Sequence, residues 1–165
     1  MSHSVLLTFT GFHDPYTEGP VEGSLQPGPI LSLLGERKFR RVILFSTPMT
    51  VKLTEETREA IRESSPKTKV ITHHLDLQDP TDYSAILAGI RRFLPRFRRH
   101  RSDSCFVATA SGTPQMHACW MLRVSSGELR ARLLHVRPPR FVSRDVPLVS
   151  EVDLAGPEFP EALSA

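Results

Sequence analysis

At 165 residues, 39% of them hydrophobic, the chain fits one domain with a core of ordinary size, and one compact domain is the default reading. No apolar run approaches membrane-spanning length, and the start, MSHSVLLTF, lacks a basic region followed by a cleavable apolar stretch, so the sequence reads as a cytoplasmic protein with no membrane contact. The net charge of +3 and the excess of arginine (17 Arg, 4 Lys) suit phosphate recognition, because guanidinium groups meet phosphate oxygens two at a time, although genomic base composition produces the same bias.

Ser4 to Thr10 (SVLLTFT) is a nearly continuous apolar run closed by Gly11, as in a central strand buried on both faces. Residues 12–26 are polar and rich in Gly and Pro, with Asp14-Pro15 and Gly19-Pro20 as turn signals, and predict a loop at that strand's carboxyl end. Pro29 to Gly35 predicts a short helix with Ile30, Leu33 and Leu34 turned inward. Arg41 to Phe45 is a second strand that ends in Ser46-Thr47-Pro48. Thr54 to Ser64 follows as a helix, with Glu55 and Glu56 in its first turn. Lys69 to Leu77 alternates, which points to a strand near the sheet edge. His73 and His74 are adjacent on it, face opposite sides and cannot chelate one metal together.

Asp79 to Asp82 opens the next helix, whose apolar stripe runs from Tyr83 to Phe97 and which Pro95 kinks or ends. The arginine-rich stretch Arg91 to Arg101 reads either as a solvated helix end or as a nucleic-acid contact. After the fourth strand, Ser104 to Thr109, the pattern turns abruptly from strand to helix. In SGTPQMHA, Thr113 offers an N-cap hydroxyl directly before Pro114, a residue pre-shaped for the first helical position. Ser111 and Gly112 add a small hydroxyl and a residue free to take positive φ beside the unpaired N–H groups of a helix start. Such a turn is an anion cradle, and an ordinary capped connection has the same outline.

Pro114 to Val124 is apolar almost all round (Met116, Cys119, Trp120, Met121), which predicts a helix buried against a second layer or a second subunit. Glu128 to Val136 is a fifth strand, broken by Arg137-Pro138-Pro139-Arg140, and Leu148 to Leu154 a last short one. Residues 155–165 have the composition of a tail or linker. The alternation of strand and helix predicts one α/β domain over residues 1–154. Its expected form is a Rossmann-like, doubly wound, mainly parallel six-stranded sheet with helices on both faces.

No G-x-G-x-x-G follows the first strand, and neither a phosphate-loop lysine motif nor H-E-x-x-H nor paired C-x-x-C occurs, so no cofactor is expected. Cys105 and Cys119 lack metal-ligand spacing and read as buried free thiols, with no metal site. What remains is three strand ends rich in hydroxyls: Thr8 to His13, Ser46 and Thr47 onward to Thr50, and Ser111 to Gln115. In a doubly wound sheet the first and fourth strands flank the point where the winding reverses, so two of these loops face one crevice that suits a phosphate-bearing ligand. Arg137, stiffened by the two prolines behind it, is expected to neutralise such a phosphate. Catalytic candidates are His13 beside Asp14, Ser111 and His117. A histidine there serves as base for an RNA 2′-hydroxyl attacking its own phosphate, or else is a solvated loop residue (His13) or a packing one (His117).

TFTG near the N-terminus, FVATASGTPQMHACWML and LLHVRPPRF together resemble CARF domains, the CRISPR-associated Rossmann-like ligand sensors. They are most similar to the N-terminal sensor of RtcR-like transcriptional regulators. The resemblance spans roughly Ser4 to Leu154. It implies a homodimer that binds a cyclic oligoadenylate or a related RNA-derived ligand, in CRISPR antiviral signalling or RNA-repair regulation. It places Thr10, Gly11 and Phe12 in the first ligand loop and Ser111, Gly112, Thr113 and Gln115 in the second. Many ligand-cleaving relatives carry a lysine straight after the Gly-Thr of the second loop, where this chain has Pro114. A sensor is therefore the first reading, a metal-independent ring nuclease the second and a nucleic-acid-binding domain the third. RtcR-like regulators continue into an ATPase and a DNA-binding domain, which 165 residues do not include. The chain is thus expected to be either a free-standing CARF protein or a sensor fragment with an effector or DNA-binding domain downstream.

Overall fold

A computed structural model describes residues 3–160. Its centre is β1 (Ser4–Phe9), buried at all six positions as its unbroken apolar run requires. Side chains alternate along it, so Val5, Leu7 and Phe9 enter one apolar cluster while Leu6 enters the other. Beyond β1 come a short hairpin of β2 (Tyr16–Glu18) and β3 (Leu25–Pro27), α1 (Pro29–Glu36), β4 (Arg41–Ser46), α2 (Val51–Ser64) and β5 (Lys69–His74). The second half contributes α3 (Tyr83–Phe93), β6 (Ser104–Ala108), α4 (Pro114–Ser125), β7 (Arg132–Val136) and β8 (Val149–Val152).

Six strands form the main sheet in the order β5-β4-β1-β6-β7-β8. The first five are parallel and β8 closes the edge antiparallel to β7. Helices cover both faces. α3 and α4 bury Ile86, Ile90, Phe93, Met116 and Trp120 against Phe9 and Phe45, while α1 and α2 bury Ile30, Leu33, Leu34 and Ile61 against Leu6, Val42 and Leu44. The chain turns from one winding direction to the other between β1 and β6, so the reversal point lies between the two strands expected to flank it. β5 sits at the sheet edge, as its alternating pattern implied.

Three expectations need correction. Residues 12–26 are not loop throughout, because Thr17 pairs with Gln26 in the β2–β3 hairpin. α2 begins at Val51, three residues before Thr54, which is buried in the second turn and donates its hydroxyl to the Thr50 carbonyl at 2.7 Å. Glu55 and Glu56 misled because an exposed helix face carries acids at any turn. β5 stops at His74 and β7 starts only at Arg132, since Glu128 turns aside to pair with the buried Arg123.

α4 meets a second layer of its own domain, one of the two surroundings expected for it: Trp120 and Cys119 are fully buried, and the Trp120 ring lies 5.6 Å from Phe9 and 5.3 Å from Phe45. The sheet and α3 together cover this wide apolar face, leaving Met121 and Leu122 exposed. Both cysteines are buried free thiols, and burial pushes the Cys105 thiol up to about 11. Residues 155–160 form turns, and 161–165 of the expected tail lie outside the described residues. Among the described residues no helix is long and apolar enough to cross a membrane.

Candidate functional site

Where β1 and β6 part at their carboxyl ends, the loop after each runs into the other. A Cβ placed on Gly11 would stand 2.7 Å from the Gly112 nitrogen, so the two loops touch backbone to backbone. Gly112 takes φ +98°, and its missing Cβ would lie 2.7 Å from the Met116 sulfur and 3.2 Å from Phe9 Cβ. Both the left-handed turn and the close packing therefore require glycine. Between the loops lies a cleft of about 190 Å³.

Asp14 holds the first loop in shape. Although its carboxyl is buried, it accepts hydrogen bonds from the Gly11 N–H at 2.9 Å and the Ile30 N–H at 3.2 Å, tying the loop to the start of α1. Burial pushes its pKa above the ordinary carboxylate value, against the pull of the nearby Ser111 hydroxyl first and of those two backbone donors after it. A chain of threonines braces the other wall. The Thr54 hydroxyl, whose proton goes to the Thr50 carbonyl, lies 3.0 Å from the Thr10 hydroxyl, and the Thr50 hydroxyl accepts from the Thr47 N–H at 2.9 Å. Thr10, Thr47 and Thr50 all line the cleft.

The third wall is the start of α4. Thr113 caps it as expected, accepting from the Met116 N–H at 3.3 Å, and its hydroxyl also donates to the Pro80 carbonyl at 2.8 Å. Ser111 is the exception in this well-bonded site. It is only 4% exposed, lines the cleft, and lies near enough to weigh on the Asp14 carboxyl, yet among the described residues its Oγ meets no partner at hydrogen-bond distance and angle. A buried hydroxyl without a partner is rare in a folded protein.

Comparison with known proteins identifies the lineage. The family model described as "Regulator of RNA terminal phosphate cyclase" (RtcR) matches residues 26–156, most of the chain. The chain belongs to this RtcR family. It is 27% identical over 89 residues to the transcriptional regulatory protein RtcR of Escherichia coli (strain K12), an alignment covering 53% of this chain and 17% of that protein. The domain therefore spans about one sixth of the length of that relative.

Solved structures share the fold at low identity. Enterococcus italicus Csm6 bound to cyclic hexa-2′-fluoro-hexa-dAMP superposes with a TM-score of 0.75 at 15% identity, over 93% of this chain and 42% of that one. Can2 from Sulfobacillus thermosulfidooxidans, in complex with cyclic tetra-adenylate, gives 0.59 at 18% identity, over 82% and 32%. The RtcR-family domain thus has the CARF-type, Rossmann-like fold that its sequence resembled.

In this RtcR-family domain the structure gathers Thr10, Gly11, Phe12, His13 and Thr47 with Ser111, Gly112 and Thr113 around the one cleft. Phe12 is 63% exposed at its rim, and His13 is exposed with Nδ1 3.2 Å from the Thr17 hydroxyl. Four candidates fall elsewhere. Ser46 Oγ is 2.9 Å from His74 Nδ1 at the end of β4. Gln115 is half-buried away from the lining, its Oε1 without a partner. Arg137 donates Nη1 to the Pro147 carbonyl at 2.9 Å and the Ser150 hydroxyl at 3.1 Å, so it fastens β8 to the sheet. His117 likewise holds the Ser111 carbonyl at 2.9 Å from outside the cleft. Reasoning from sequence did not put Thr50, Met49, Pro80 or Met116 in the lining, although Thr47, Thr50 and Thr54, spaced by three and four, carried a helix-face signal.

Proposed function

We propose that this RtcR-family domain is a cytoplasmic, homodimeric sensor that binds a cyclic oligoadenylate or related RNA-derived ligand, with a ligand phosphate seated in the cleft. The observation that carries the reading is the buried, unpartnered Ser111 hydroxyl beside the positive end of α4, a donor waiting for an anionic acceptor. Csm6 and Can2, which share the fold, were solved with cyclic oligonucleotides of this class. At about 190 Å³ the cleft is smaller than the ~300 Å³ of the smallest drug-sized pockets, so it suits one phosphate with its sugar and leaves a ring to bridge two copies. Phe12 and Met49, exposed at the rim, supply apolar surface for a second copy or a base.

Binding without cleavage is the function the geometry favours. The titratable side chains among the described lining residues are His13 and Asp14, and Asp14 is committed to two backbone donors. The decisive experiment mixes the protein with cyclic tetra- and hexa-adenylate and follows both by chromatography over time, with light scattering alongside. Retention of intact ligand by a dimer supports the sensor. Linear products make the domain a ring nuclease, while failure to bind either ring or any RNA end, or a monomer at micromolar concentration with and without ligand, removes the reading. Signal would pass to an effector or DNA-binding domain beyond this segment, as the far greater length of the E. coli relative allows.

A further inference from the structure

Five parallel strands enter the sheet through its amino edge, on the side away from the cleft, and nearly every one brings cations with it. Arg40 and Arg41 stand at the start of β4, Lys69 at the start of β5, and Arg98 and Arg99 on the approach to β6, together lining one groove. Arg101, Arg130 and Arg132 extend it into a second groove that shares Arg99, His100 and Asp103. Against these eight cations stand Asp103 in the lining, which holds the His100 N–H, and Glu151, which clasps Arg132; Glu128 turns away to Arg123. That is six net positive charges at one edge of a chain whose whole charge is +3, so the rest of the molecule is net negative.

Helix dipoles do not account for this. Arg62, Arg91, Arg92, Arg96, Arg123 and Arg140 occupy the last turns of helical segments and none of them lines these grooves, whereas Arg40, Arg41, Lys69 and Arg132 lie at strand starts, where no dipole calls for them. Two of the guanidiniums are also held in place. Arg41 donates to the Arg98 carbonyl at 2.8 Å and lies 5.4 Å from the centre of the Phe97 ring, with Arg99 at 5.9 Å from that ring. A guanidinium already fixed loses less freedom on meeting a phosphate than a free lysine does.

We propose that this amino edge binds the phosphate backbone of a nucleic acid, as a second site apart from the cleft. Phe97 is engaged by Arg41, Arg99 and the Phe93 ring, so it does not serve as a stacking platform for bases and the site reads backbone without sequence. Strands ~4.8 Å apart make the five-strand edge ~19 Å long, which matches about five phosphates of a stacked single strand.

The test uses a labelled, linear ~20-nucleotide polyuridine with hydroxyl ends, titrated with the whole chain by fluorescence anisotropy at several salt concentrations. Log affinity should fall against log salt with a slope near ~−3.5, five phosphates at ~0.7 each. Lys69, Arg98 and Arg101 are exposed, and among the described residues no hydrogen bond uses their side chains, so Lys69→Glu, Arg98→Glu and Arg101→Glu together should leave the melting temperature in place and weaken RNA binding at least ~30-fold. Excess cyclic tetra-adenylate should leave the RNA bound. A slope shallower than ~−1, a triple variant that binds like the parent, displacement by cyclic tetra-adenylate, or equal competition by polyglutamate of the same charge would each overturn the proposal. None of these outcomes depends on whether the cleft binds a cyclic ligand.

Discussion

At its carboxyl edge the sheet offers an anion neutral donors in a narrow cleft whose described lining holds no lysine or arginine, while at its amino edge it offers eight cations in open grooves. Dipoles and hydroxyls held in a fixed place act over a few ångströms and discriminate by shape, whereas exposed charges act over about a Debye length and are screened by salt. One sheet thus presents two kinds of phosphate recognition, and disturbing one edge should leave the other intact.

The largest separation is expected from Gly11→Val. The new side chain drives into the Gly112 backbone and wedges the two loops apart, so affinity for a cyclic oligoadenylate should fall more than ~100-fold and stability by about 1–3 kcal/mol. Calorimetric binding and thermal melting read the two effects, and polyuridine binding at the amino edge should be unchanged. Ser111→Ala should follow, at about ten- to hundredfold in affinity, the worth of one hydrogen bond to a charged acceptor. Because that hydroxyl is unpartnered, its loss should not lower the melting temperature; a destabilised Ser111→Ala would show that the hydroxyl is structural. Salt sharpens the contrast further. Raising it from about 50 to 200 mM should change cleft affinity less than ~3-fold while polyuridine binding drops steeply.

Smaller effects are expected where the structure reassigns a residue. Arg137→Ala should leave cleft affinity unchanged and cost about 1 kcal/mol, since Arg137 spends its donors on Pro147 and Ser150. The smallest is a pH effect of Asp14. Its folded pKa lies above the ordinary 3.8, so between those two values the folded state holds a proton that the unfolded state has released. Stability from this group is therefore greatest below pH 3.8 and declines as pH rises through the folded pKa, then levels off. Denaturant unfolding of the parent against Asp14→Asn across this acid range should show that decline in the parent alone, and parallel curves would remove Asp14 as its source.

Much of the cleft was legible because its parts announce themselves locally. Thr113-Pro114 reads as a helix start at the residue where α4 begins, and Gly112 as a position for positive φ. Thr50 reads in sequence only as one hydroxyl of the strand end from Ser46 to Thr50 and not as a wall of the cleft, because which loops face one cleft is settled by the order of strands in the sheet. Arg137 misled for a related reason: sequence shows that an arginine is held stiffly at a strand end, but not which acceptors lie opposite it. The amino-edge grooves were visible only as the single run of arginines before β6, since their other members come from segments far apart in the chain.

By itself the sequence determined the succession of main-sheet strands and their helices, the burial of β1 and the capped turn after β6, because each depends on residues within a few positions of one another. The tertiary structure alone decided that α4 spends its apolar face inside its own domain, that Asp14 and Ser111 line one cleft from two loops, and that cations from four strand entries share one edge. Those are contacts between segments tens of residues apart, and which face meets which is settled by sheet order and the close packing of the core, neither of which a local pattern encodes.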